Sequence, residues 1–177
     1  MTDDTARSPL APAQFPDLPV IGGVQFASTA SGIRYSDRDD VMLALLAPGS
    51  AVAGVFTRSA TRSASVLDCQ HKIGLSPEGG AAIVVNSGNA NAFTGQSGVV
   101  ATEAITQNVA LVLDLAINRV FSSSTGVIGE PLPYARLVAA LPNLTQHLDP
   151  TAIKAAAEAI MTTDTFAKGA SSQIERD

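Results

Sequence analysis

Tryptophan is absent from the 177 residues, cysteine occurs once, and charged side chains make up only 15% of the chain. A lone Cys69 can form neither an internal disulfide nor a cysteine metal cluster, which fits a reducing compartment. The two histidines, His71 and His147, lie in polar segments without a Cys, His or carboxylate partner at metal-ligand spacing, so no metal site is expected. No apolar run reaches the roughly 18 residues needed to span a bilayer. The start, Met1-Thr2-Asp3-Asp4-Thr5, is acidic where a secretory signal would be cationic and then apolar. The cytoplasm is therefore expected, and no membrane partner. Eleven Lys and Arg face sixteen Asp and Glu, for a net charge of -5. The basic residues never cluster, which argues against a nucleic-acid partner held by its phosphates. Neither G-x-x-x-x-G-K-[ST] nor a G-x-G-x-x-G after a strand occurs, so the usual phosphate-cradling loops are missing.

What is present is a chain that can pack. Hydrophobic residues reach 46% and glycine numbers 14, and a chain of this length buries roughly two-thirds of its unfolded surface. Residues 1–19, with Pro9, Pro12, Pro16 and Pro19, read as a flexible lead-in to a domain over 20–177. Val41 to Leu46 and Ala51 to Phe56, flanking Pro48-Gly49, read as a hairpin of two buried strands. A third strand is expected at Ser65 to Cys69, ending in a packed thiol. A central strand is expected at Ala81 to Val85, and another at Arg119 to Ser123. Helices are expected over Val100–Leu115, where Ala101, Ile105, Val109 and Val112 recur, and over Pro131–Leu141, with Tyr134, Leu137, Val138 and Leu141 on one face. A last helix runs to Met161, with Asp149 as N-cap, Pro150 at N1, and Ile153, Ala156, Ala157 and Ile160 facing inward. Interleaved strands and helices give an α/β class.

Three segments could carry chemistry. Asn86-Ser87-Gly88-Asn89-Ala90-Asn91-Ala92-Phe93-Thr94-Gly95 has side-chain amides that either bond the loop to itself or meet a ligand. Within Ser122 to Gly129, Thr125 and Gly126 offer a hydroxyl and an unobstructed backbone N–H, the pair of donors an oxyanion requires, although such residues also simply favour turns. Met161-Thr162-Thr163-Asp164-Thr165 could hold an amino acid's polar groups, or only end a helix.

Together, Val85-Asn86-Ser87-Gly88-Asn89-Ala90-Asn91-Ala92, Ser124-Thr125-Gly126-Val127-Ile128-Gly129 and Ala159-Ile160-Met161-Thr162-Thr163-Asp164-Thr165 resemble the bifunctional ornithine acetyltransferase and glutamate N-acetyltransferase family of arginine biosynthesis. Ala53-Gly54-Val55-Phe56-Thr57 also matches, so the resemblance runs from about Gly22 to Lys168. It implies a layered α/β fold of the self-processing, aminopeptidase-like type. It also implies a precursor that cuts itself before an internal threonine, whose freed amine and hydroxyl become the nucleophile. The acetyl group would pass from N-acetylornithine to that threonine and then to glutamate, with no metal or organic cofactor, and acetyl-CoA is left open as a co-substrate. On this resemblance Thr125 and Gly126 match the oxyanion-hole pair and Thr162 a substrate-binding threonine.

The family's cleavage segment, Lys-Gly, an apolar stretch, Pro and then Ala-Thr-Met-Leu, does not occur before Asp177. The chain is thus expected to be an α-chain portion ending short of the scissile bond, working with a β chain of the same precursor in a hetero-oligomer. Ala167-Lys168-Gly169-Ala170 only superficially suggests the start of that cleavage segment, lying two residues after Thr165 where the family usually has Pro-Lys, and Lys168 is assigned no binding role. Phe93 stands where many members have Cys, and Ser59 where many have Asn. A self-processing aminopeptidase or amidase half and a non-catalytic amino-acid-binding domain are the alternatives.

Overall fold

The computed structural model describes residues 7–75 and 78–174. The α/β class is the one observed, as a four-stranded sheet, ordered β1-β2-β3-β4, layered with helices. Its strands are β1 (Val24–Thr29), β2 (Val41–Leu46), β3 (Ala81–Asn89) and β4 (Val120–Val127). β1, β2 and β3 pair antiparallel, while β4 runs parallel to β3. That parallel step needs a crossover, and α2 (Gly95–Leu113) supplies it. Also present are α1 (Ala64–Lys72), α3 (Tyr134–Gln146) and α4 (Ile153–Ala159).

The period-2 alternation of β3 sorts its side chains onto two faces. Ala82 and Val84 join Ile105, Val109, Leu137, Leu141 and Leu144 in the main core beneath α2 and α3. Ala81 packs on the opposite side with Cys69 and Phe121, against which Ile83, Val52 and Phe56 are stacked. Val112, read as inward-facing, is substantially exposed near the C-terminal end of α2.

Several local expectations are corrected. β2 forms, but its partners are β1 and β3. With both edges taken, residues 51–56 cannot pair with it. They form an irregular strap that turns Val52 and Phe56 inward and leaves Val55 99% exposed. β1 itself lies in the glycine-bounded stretch that carried no strand expectation. Ser65 to Cys69 is helical, not a strand. Ser63 caps α1 by accepting from the Val66 N–H at 3.4 Å, and Lys72 donates to Asp68 one turn back at 2.7 Å and to the Val120 carbonyl at 3.0 Å. β3 continues past Val85 to Asn89. α3 passes through Pro142 to seat the fully buried Leu144. Asp149 is not the cap of α4. Its carboxylate accepts from Thr151 N at 2.6 Å and Thr151 Oγ at 2.7 Å, closing the preceding turn, and the helix starts after Ala152.

Residues 1–6 of the expected lead-in lie outside the described residues. From Arg7 to Pro19 the chain is irregular, and it touches the C-terminal segment, where Ser8 N donates to Thr165 Oγ at 3.1 Å. Among the described residues no helix is long and apolar enough to cross a membrane.

Candidate active site

Two of the three sequence segments pair at the far end of β3 and β4, and the third is tethered there through Ala159 and Met161. The register sets Asn86 opposite Ser124, Ser87 opposite Thr125, Gly88 opposite Gly126 and Asn89 opposite Val127. The strand expected to end at Ser123 continues to Val127. On one face Ser124 Oγ donates to Asn86 Oδ1 at 2.6 Å. Thr125 and Ser87 fall on the other face, the one that carries Phe121 and Ile83.

Gly126 has φ +137, and a Cβ placed there would stand 2.3 Å from Gly88 C and 2.5 Å from Asn89 N. Its absent side chain is therefore demanded first by the close approach of two strands, where the sequence suggested only access for a substrate. Val127 O accepts from Ala90 N at 2.8 Å and Gly129 N donates to Ala92 O at 2.9 Å, so both residues turn towards the β3 side. Backbone groups alternate along a strand. Gly126 therefore turns its N–H the other way, to the open edge of β4, and the residue is exposed there.

The asparagine segment is bonded within itself. Asn86 Nδ2 donates to Asn89 O at 2.9 Å, and Asn89 Nδ2 donates to Glu130 O at 3.0 Å. Asn91 Nδ2 reaches Gly98 O and Thr102 Oγ, each at 3.0 Å. All three residues are buried. Their amides fasten β3 to the start of α2 and to the approach to α3, and the self-bonded reading holds.

Thr162 follows the C-terminus of α4 and is half-buried. Among the described residues no group bonds its hydroxyl or that of Thr125. Its neighbours are engaged: Lys168 donates to the Asp164 carboxylate, which this contact holds below the usual range, and Thr165 accepts from Ser8. The segment is tied to β3 by Ser87, whose Oγ donates to Ala159 O at 2.7 Å, and by Arg38, which donates to Met161 O. Neither Arg38 nor the role of Ser87 was read from the sequence; the Arg38-Asp39-Asp40 charge cluster abutting the apolar β2 was the available signal. Asp40 is 0% exposed and accepts from Ser31 N at 2.6 Å and Ile33 N at 2.8 Å, closing the loop that carries Arg38.

A cleft of about 640 Å³ opens beside the segment, lined by Arg38, Lys154, Glu158, Met161 and Thr165 among others. Another, of about 350 Å³, lies under the strap between Phe56, Cys69, Ile83 and Phe121. Neither includes Thr125, Gly126 or Thr162 in its lining. Cys69 is a packed thiol, as expected, although helical. Burial raises its pKa, and its Sγ donates to Ser122 O at 3.3 Å. His71 and His147 are exposed.

The sequence model of the ArgJ family matches residues 25–177. The chain belongs to the ArgJ family. It is 61% identical over its whole length to the arginine biosynthesis bifunctional protein ArgJ of Ruegeria pomeroyi, covering 43% of that protein. To its counterpart in Nitrobacter winogradskyi it is 48% identical, over 97% of the chain and 42% of the relative. It thus spans less than half the length of these ArgJ relatives. Among solved structures it resembles ornithine acetyltransferase complexed with ornithine from Mycobacterium tuberculosis, with a TM-score of 0.74 and 36% identity over 81% of this chain and 77% of that one. The arginine biosynthesis bifunctional protein of Bacillus halodurans gives the same TM-score, 0.74, at 28% identity over 81% of this chain and 74% of that one. The expected family resemblance and fold are those found in the ArgJ proteins.

Proposed function

We propose that this chain is the non-nucleophilic part of an acetyltransferase that moves an acetyl group from N-acetylornithine to glutamate in arginine biosynthesis. Thr125 and Gly126 stabilise the oxyanion, and Thr162 binds the substrate. The nucleophile is the freed N-terminal threonine of a β chain from the same precursor, and α and β chains form a cytoplasmic hetero-oligomer. Glutamate can also be acetylated from acetyl-CoA as co-substrate. The chemistry requires no metal or organic cofactor, because an N-terminal threonine carries its own base in its amine.

The observation that carries this reading is the pairing of the Thr125 hydroxyl, which no described residue bonds, with a backbone N–H turned to an open strand edge, on the adjacent Gly126. As the threonine hydroxyl attacks the acetyl carbonyl, negative charge gathers on the carbonyl oxygen. Two fixed donors at that point lower the barrier without reorganising. Ornithine in a neighbour's crystal structure and the family membership support the substrate class.

A chimera tests the proposal, with this chain replacing the matching residues of the Ruegeria pomeroyi relative. Thr125→Ala in it should lower kcat about 10²-fold and leave KM nearly unchanged, since such donors act in the transition state. A parental kcat in that variant would show the β4 segment to be purely structural.

A further inference from the structure

The candidate site draws on two distant parts of the chain, Thr125 and Gly126 on β4 and Thr162 beyond α4, and one buried residue lies opposite the first and is bonded beside the second. Ser87 is 0% exposed and is the register partner of Thr125. Its N–H donates to Asp40 O at 2.8 Å. Its hydroxyl donates to Ala159 O at 2.7 Å, on the last residue of α4, and accepts from Arg38 Nη2 at 3.3 Å. The same Nη2 donates to Met161 O, one residue before Thr162. Arg38 is held in turn by stacking on Tyr35, 4.0 Å from the ring centroid.

A helix ends with carbonyls that have no partner of its own, and a cation placed there is favoured by the helix dipole. Here Ala159 O and Met161 O are both taken by donors rooted in β3 and the Asp40-closed loop. A buried ladder position has no need of a hydroxyl, which costs stability there unless it is bonded. Ser87 uses its hydroxyl for one purpose, the join between sheet and helix end.

We propose that Ser87 and Arg38 are positioning residues that hold the Met161–Thr162 turn in register with the Thr125–Gly126 strand. Their role is to place Thr162, through bonds to the chain just before it. Ser87 lies opposite Thr125 in the β3–β4 register and holds the end of α4 through its side chain, and Arg38 bridges Ser87 to the Thr162 turn. This inference rests on the functional reading above.

The test uses the active chimera with Ser87→Ala, Arg38→Ala, Thr162→Val and the two double variants that include Thr162→Val, reading kcat, KM for N-acetylornithine and Tm. Ser87→Ala and Arg38→Ala should each raise KM about tenfold with kcat within about threefold, the pattern of lost binding geometry. Because they act through Thr162, each should add little to Thr162→Val, whereas independent sites combine additively in free energy. Multiplied KM effects in the double variants would overturn the inference, as would an unchanged KM in both single variants. Arg38 lies in a loop, so Arg38→Ala decides the matter even where Ser87→Ala does not fold. If Thr162→Val itself leaves KM unchanged, the substrate-binding reading fails and the inference with it; if only Thr162→Val raises KM, the inference alone fails.

Discussion

Replacing Gly126 by alanine should cost this chain more stability than any loss of a polar group at the candidate site. The added Cβ meets backbone atoms of the neighbouring strand at 2.3 Å and 2.5 Å, so no rotamer change can relieve it. Overpacking costs about 1–3 kcal/mol where side chains can yield, and backbone does not yield easily. The φ of +137 adds a conformational cost of about 1–3 kcal/mol for a residue with a side chain. The sum, about 2–6 kcal/mol, is a large share of the roughly 5–15 kcal/mol that holds a domain folded. At about 2–4 °C per kcal/mol for a chain of this size, even the lower bound lowers Tm by about 4–8 °C. Gly129 separates the two contributions, since its φ is +86 but nothing lies within 4 Å of an added Cβ. Gly129→Ala should therefore cost only the conformational part. Thermal melts of both variants and of Thr125→Ala give the comparison. A Gly126→Ala chain melting within about 2 °C of the parent would refute the close-approach argument.

Thr162→Val should raise KM for N-acetylornithine by the roughly 1–3 kcal/mol that an unpaired polar group costs, read from initial rates of the chimera. Cys69 should resist a thiol reagent in the folded chain and react once urea unfolds it, which a stopped colorimetric assay reads. Burial raises its pKa above the ordinary 9.0, so the folded state holds the thiol proton more tightly. That stabilisation is complete below the unfolded pKa and is lost as pH rises through the folded value. Urea midpoints should accordingly fall at alkaline pH, and fall less in Cys69→Ala.

The sequence showed the elements whose pattern is local. Tyr134, Leu137 and Leu141 marked α3, and the run Ala81 to Val85 marked β3 as an inner strand. It failed where pairing decides. Ala51 to Phe56 is as apolar as a strand, but β2 has no free edge for it, and that follows only from β1 and β3 lying on either side. Ser65 to Cys69 is too short for periodicity to separate strand from helix, and the Ser63 cap was the overlooked signal. For the candidate site, Thr125, Gly126 and Thr162 are expectations that rest on a family likeness. Arg38 and Ser87 were not legible, because their roles depend on bonds to residues that stand far away in sequence, Ala159 and Met161.

The central claim is that these 177 residues supply donors and binding groups to a nucleophile carried elsewhere. The direct measurement compares acetyl transfer from N-acetylornithine to glutamate by the purified chain with transfer by the self-processed chimera containing the rest of the Ruegeria pomeroyi relative. The account predicts no turnover by the chain alone and turnover by the chimera. Comparable turnover by the chain alone, or none by a chimera that folds and cleaves, would contradict it.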